Sequence, residues 1–254
     1  MKNSSMEQST RDEIDRLGAR SVFILGGPKA ISSTVESYFQ KQGYGVTRVS
    51  GDTRYETAVR IAQMVDAIRG VNTEVFFACA SNYPDALGAG AAAAIQGSPI
   101  LYIAKSGDLG DSTREYLRSR TVKSAVILGG YSAVGAPAEE DIMMAAGVNP
   151  VRIAGSDRYD TNLRVNRAYA HLFEGSAVVA ATGENYPDAL AGGVLAASMK
   201  APMLLVPRKG HITLAQSEYI ASRNTGSAYI LGGTASVSGS VADSIAAAYG
   251  ALDY

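Results

Sequence analysis

Two short phrases in this chain bring together residues able to hold an anion. Asn-Tyr-Pro-Asp-Ala-Leu occurs at 82–87 and again at 185–190, setting Asn82, Tyr83 and Asp85, then Asn185, Tyr186 and Asp188, at identical spacing. An aspartate just after proline suits a helix's first turn, where free N–H groups and the macrodipole favour negative charge. The asparagine amide can brace the loop before it. The second phrase runs from Gly51 to Thr57 and returns from Gly155 to Thr161, placing Arg54-Tyr55 and Arg158-Tyr159 at the start of another helix. A guanidinium presents a planar fork that fits phosphate or carboxylate. The competing reading is structural: each arginine ties its loop to Asp85 or Asp188.

A third phrase, Leu-Gly-Gly, occurs three times, at Gly26-Gly27, Gly129-Gly130 and Gly232-Gly233. Glycines between a strand and a helix turn the backbone sharply and leave N–H groups for an anion. The spacing is neither that of a dinucleotide-binding fingerprint nor that of a P-loop, and a tight turn is the simpler account. The usual catalytic groups do not share the repeat. Cys79 corresponds to Thr182 and His211 to Asp108, no His/Cys cluster has metal-ligand spacing, and no Gly-x-Ser-x-Gly elbow is present. Asp85 and Asp188 lack a partner base or metal. The expectation is a chain without catalytic residues, metal or cofactor.

The elements that position these residues follow from the repeat. The phrases recur 103 or 104 residues apart, which divides the chain into an incomplete unit (1–47, a second half only) and two full units (48–151 and 152–254). Within one unit, apolar spacing predicts a helix over Arg54–Arg69, a buried strand over 74–80 and an Ala/Gly-rich helix over 84–96 with proline at its first position. A strand over 99–103, a helix over 112–120, a strand over 124–128, a helix over 137–146 and a strand over 148–154 complete it. Helices over 30–40, 138–146 and 241–249 follow the three Leu-Gly-Gly turns. Strands alternating with helices predict an α/β fold of tandem units, with largely parallel sheets flanked by helices. The small residues after Pro84 predict close approach to a neighbouring backbone.

Composition narrows the partners. The 254 residues are 46% apolar and 19% charged, with a net charge of −1, so any polyanion must be met by a local cluster. With one cysteine there is no internal disulfide. The first residues lack the apolar core of a secretion signal, which leaves a cytosolic chain or a mature fragment. The segment 87–104 reads as helix followed by strand, not as a bilayer span.

Taken together, Arg-x-x-Gly-x-x-Arg-Tyr-x-Thr, Asn-Tyr-Pro-Asp-Ala-Leu, Pro-Ile-Leu or Pro-Met-Leu-Leu, and Val-Ile-Leu-Gly-Gly resemble, in order, the cell wall binding repeat type 2 modules of Gram-positive surface proteins and autolysins. The resemblance spans about residues 21–249. It implies Toprim-like α/β modules, usually in threes, that hold a protein non-covalently to an anionic wall polymer, teichoic-acid-like or a surface polysaccharide, at the cell surface. It also implies Arg54, Tyr55, Asn82, Asp85, Arg158, Tyr159, Asn185 and Asp188 as polymer-facing residues. Thr53 stands where the family usually has aspartate; Asp157 fits. The incomplete unit suggests docking on a neighbour or on a second copy. The alternative is a small-molecule enzyme or binding protein that uses the glycine loops for a phosphorylated ligand.

Overall fold

The structure, a computed structural model, describes residues 6–223 and 226–250. Residues 1–5 of the incomplete unit and 251–254 of the last unit lie outside the described residues. In chain order the elements are α1 (Gln8–Arg16), β1 (Ser21–Leu25), α2 (Ser33–Lys41), β2 (Gly45–Val49), α3 (Arg54–Arg69), β3 (Glu74–Cys79) and α4 (Tyr83–Gln96). There follow β4 (Ile100–Ile103), α5 (Asp111–Arg118), β5 (Ser124–Leu128), α6 (Pro137–Ala146) and β6 (Val151–Ile153). The last unit holds α7 (Arg158–Ala168), a 3-10 turn (Ala170–Leu172), β7 (Ala177–Thr182), α8 (Tyr186–Ser198), β8 (Met203–Val206), α9 (Leu214–Ser222), β9 (Ser227–Ile230) and α10 (Gly239–Gly250).

All strand pairs among the described residues are parallel, and they form three sheets: β1-β2, β4-β3-β5-β6 and β8-β7-β9. Strand pleating divides the middle sheet cleanly. Phe76, Ala78, Val126 and Leu128 face a core shared with α4, α7, α8 and one face of the third sheet, through Val179, Ala181, Met203 and Leu205. Val75, Phe77, Cys79, Ala125 and Ile127 face a second core with α3, α5 and α6. Burial on both faces is why β3 reads as a continuous apolar run. The second and third sheets thus share a common core.

The sheets do not change over where the repeated phrases begin. β2 pairs with β1, and β6 with β5, so each Arg-x-x-Gly strand is hydrogen-bonded into the preceding sheet. The helix that follows it packs forward, α3 on β4 and α7 on β8.

Several boundaries differ from the sequence expectation. α4 begins at Tyr83, so Pro84 is its second residue, still within the turn where its missing N–H costs nothing. The helix expected over 30–40 starts at Ser33, because Ala30 and Ile31 donate their N–H groups to Gly27 O and close a turn first. The strand expected over 148–154 shortens to Val151–Ile153. α1 is an element the sequence reading did not foresee; it covers the first sheet together with Met6, Val35 and Phe39.

Candidate functional site

The repeated phrases meet at the carboxyl ends of the strands. Thr53 caps α3 by accepting from the Glu56 N–H, and Asp157 caps α7 by accepting from the Tyr159 and Asp160 N–H groups. Threonine and aspartate therefore do the same job at the two positions. Each cap fixes the arginine after it. Arg54 Nη1 donates to Ala80 O at 2.8 Å, and Arg158 Nη1 donates to Gly183 O at 2.6 Å, both just past the ends of β3 and β7. Neither arginine forms an ion pair with Asp85 or Asp188 among the described residues, so the proposed tie to a carboxylate of its own unit is replaced by a tie to a strand-end carbonyl. The Arg158 charge instead acts across the unit boundary on Asp85. Burial raises the Asp85 pKa, and Arg158 pulls it back.

Each aspartate sits against a glycine turn of its own unit. A Cβ on Gly129 would stand 2.5 Å from Asp85 Oδ2, and one on Gly232 would stand 2.5 Å from Asp188 Oδ2. Both glycines also have positive φ (100° and 92°), so only glycine combines the turn with room for the carboxylate. Two of the three glycine loops are thereby already faced by a carboxylate of the chain. A Cβ on Gly26 would meet Ala30 at 3.2 Å and no carboxylate among the described residues. Gly27, Gly130 and Gly233 follow in the turns, and each accepts two N–H groups from the next residues of its loop.

The asparagines diverge. Asn185 accepts from the Tyr186 N–H at 3.0 Å, whereas the Asn82 side chain makes no cap bond. Only one of the two expected loop braces forms. Tyr83 and Tyr186 meet edge to face at 5.6 Å, and the Tyr83 hydroxyl donates to Glu184 O at 3.0 Å. Tyr55 is half-buried; Tyr159 is half-buried in the shared core, and its hydroxyl pKa is raised by burial and by Glu184.

An open cavity of about 1010 Å³ lies beside the first of these clusters. Its polar rim includes Lys29, Asp52, Thr53 and Arg54, and Leu25, Ile61, Leu87 and Leu190 supply apolar wall. Among the described residues the first sheet has no counterpart of α4 on this side. Where that helix covers Val126 and Leu128, their counterparts Phe23 and Leu25 stand half exposed.

Three sets of residues central to this arrangement have no role assigned from the sequence: Arg48 with Arg152, which the repeat marks only as part of a phrase, Glu36 with Glu139, and Asn162. Arg48 and Arg152 each reach back from an Arg-x-x-Gly strand to a glycine turn. Arg48 Nη1 donates to Gly26 O at 2.7 Å and Arg152 Nη1 to Gly129 O at 2.9 Å, and Glu36 and Glu139 hold the two guanidinium groups. Asn162 is fully buried on α7. Its amide donates to Gly88 O and Met203 O and accepts from the Leu205 N–H at 2.8 Å, joining α4 to β8. The exact recurrence of Arg48 and Arg152 was a readable signal; Asn162, which replaces Ala58, had none. Among the described residues no group of three or more His, Cys, Asp and Glu gathers to hold a metal, and no helix is long and apolar enough to cross a membrane.

Comparison with known proteins agrees with this geometry. The model of cell wall binding domain 2 (CWB2) matches residues 48–139 and 152–242. The chain is 28% identical over 243 residues to the N-acetylmuramoyl-L-alanine amidase LytC of Bacillus subtilis (strain 168), an overlap of 96% of this chain and 46% of that protein. It superposes on Cwp6 from Clostridium difficile with a TM-score of 0.87 at 27% identity, over 97% of this chain and 38% of that one. On Cwp8 from the same organism the TM-score is 0.82 at 25% identity, over 98% and 42%. The chain spans less than half the length of each of these relatives. The common part is the repeated α/β region, and the chain belongs to the cell wall binding domain 2 family.

Proposed function

We propose that this chain anchors the protein that carries it, non-covalently and without catalysis of its own, to an anionic polymer of a Gram-positive cell wall. The family membership gives cell-wall association; the anionic polymer and the residues that meet it are our reading. The observation that carries it is the repetition of Arg54 and Arg158 at capped helix starts beside the carboxyl ends of parallel strands, where α/β folds place ligands and helix N-termini favour anions. Asn82, Asn185 and the paired tyrosines Tyr83 and Tyr186 line the same edge, while Asp85 and Asp188 lie against the glycine turns. Each charge-assisted contact contributes roughly 1.5–3 kcal/mol where water is excluded and less in an open groove. Two sites on one chain add avidity on a long polymer. We keep the division into 1–47, 48–151 and 152–254 as the repeat division. We also propose that the face left open by the incomplete unit is covered by a second copy of the chain.

The test is retention on purified cell walls at rising salt, measured at a temperature where every variant is fully folded. Removing both arginines should weaken retention far more than removing one. A folded double Arg→Ala variant that is retained like the parent chain would overturn the assignment.

A further inference from the structure

The two full units differ at one buried polar cluster. In the first, α5 and the residues after it bring Tyr116 and Arg120 onto Asp66 of α3. The Tyr116 hydroxyl donates to Asp66 Oδ2 at 2.7 Å, and Arg120 Nη1 donates to the same oxygen at 2.9 Å. Arg120 also donates to the Tyr116 hydroxyl and to Asn72 O, and its guanidinium lies over the Tyr116 ring at 4.8 Å.

In the second unit α9 and its end supply Tyr219 and Arg223, each 103 residues on. The backbone half of the arrangement is kept: Arg223 Nη2 donates to Phe173 O at 2.5 Å and to Gly175 O at 3.4 Å. The carboxylate half is gone. Ala170, 104 residues after Asp66, stands in its place at the start of the 3-10 turn. Tyr219 is only 5% exposed, yet its hydroxyl has no hydrogen-bond partner among the described residues. Among the described residues the guanidinium Nε is unpartnered in both clusters and Asp66 Oδ1 in the first, so the orphaned tyrosine hydroxyl is what distinguishes the second. A cavity of about 450 Å³ opens at this point, lined by Arg167, Ala170, Glu218, Tyr219, Ser222 and Arg223. Burial pushes the Tyr219 hydroxyl up to about 12 against the opposite pull of Arg223 and Arg167, so at neutral pH it is an intact donor with two cations beside it.

A buried hydroxyl without a partner is unfavourable, and native structures retain few. We propose that this cavity binds a carboxylate group of a ligand, which takes the position that Asp66 occupies in the preceding unit and accepts from the Tyr219 hydroxyl beside Arg223 and Arg167. The template is internal to the chain, since the first unit displays the filled form of the same cluster. The site lies apart from the Arg-Tyr clefts and does not depend on the polymer reading.

The test is a titration of the full chain with sodium acetate, and separately with inorganic phosphate at equal ionic strength, following the arginine Nε–Hε resonances by NMR. Acetate should give a saturable shift at Arg223. Tyr219→Phe should weaken it about tenfold, the loss of one hydrogen bond to a charged group. Ala170→Asp should abolish it and raise the melting temperature, because the carboxylate is then built in. Tyr219→Phe should leave the melting temperature of the ligand-free chain unchanged or higher, whereas Tyr116→Phe should lower it. A non-saturating response, or an equal response in Ala170→Asp, would mean a surface ion effect and would overturn the proposal. A response that emerges only in Glu218→Gln would show that the chain's own rim carboxylate fills the seat, and saturation by phosphate but not acetate would refute the carboxylate assignment.

Discussion

The two repeated arginines are chemically alike and structurally unequal, which lets their roles be separated. Arg158 is half-buried, donates to Gly183 O at 2.6 Å and acts electrostatically on Asp85. Arg54 is exposed on the rim of the large cavity. Arg54→Ala should therefore weaken wall retention with little change in melting, while Arg158→Ala should lower the melting temperature measurably. Equal effects of the two variants on melting would contradict this division. Asp85 supplies a pH test. Its pKa is raised by burial, so the folded chain holds that proton more tightly than the unfolded chain. This contribution to stability is complete below the ordinary carboxylate range and is lost as pH rises through the raised value. Asp85→Asn should flatten the fall in stability across that window. Thermal melts of both proteins through the acid range would reveal parallel slopes if the reading is wrong.

At the scale of elements, α4 and α8 carry the same hexapeptide and pack on each other with equivalent residues in contact: Tyr83 on Tyr186, and Gly193 against the Gly90 backbone. The Ala/Gly-rich sequence exists for this approach, since larger side chains would hold the backbones apart. Asn162 ties α7 into the same junction. Asn162→Ala should cost about 2–3 kcal/mol, because it orphans the buried Leu205 N–H along with the lost amide bonds. Denaturant unfolding would measure it; a cost near zero would mean that water reaches the site. Gly129→Ala or Gly232→Ala should destabilise by at least ~1–3 kcal/mol, since each adds a left-handed strain to a clash with the aspartate.

For the molecule as a whole, the two copies of one helix face differ in burial within this structure. Leu87 and Ala91 on α4 are 8% and 1% exposed, and their counterparts Leu190 and Val194 on α8 are 61% and 72% exposed. The half-exposed Leu25 lines the same cavity as Leu190. A continuous apolar surface of this kind marks a contact site. If a second copy covers it, sedimentation should show association with rising concentration, and a Leu190→Glu, Val194→Glu double variant should stay monomeric. Monomeric behaviour of the parent chain at every concentration would refute that occupant.

Much of this was legible in the linear chain. A 103-residue repeat, strand and helix periods and proline-started helices determined the α/β class, the parallel sheets and the family, because periodicity and turn chemistry are local properties that neighbouring residues enforce. The meeting of Asp85 with Gly129 and of Asp188 with Gly232, the reach of Arg158 to a carbonyl and to the aspartate of another unit, and the orphaned Tyr219 hydroxyl were decided only by tertiary structure. Each depends on which element packs on which across tens of residues. A repeat makes two copies alike in sequence, but burial depends on what lies next to each copy, and that neighbour is fixed by packing alone.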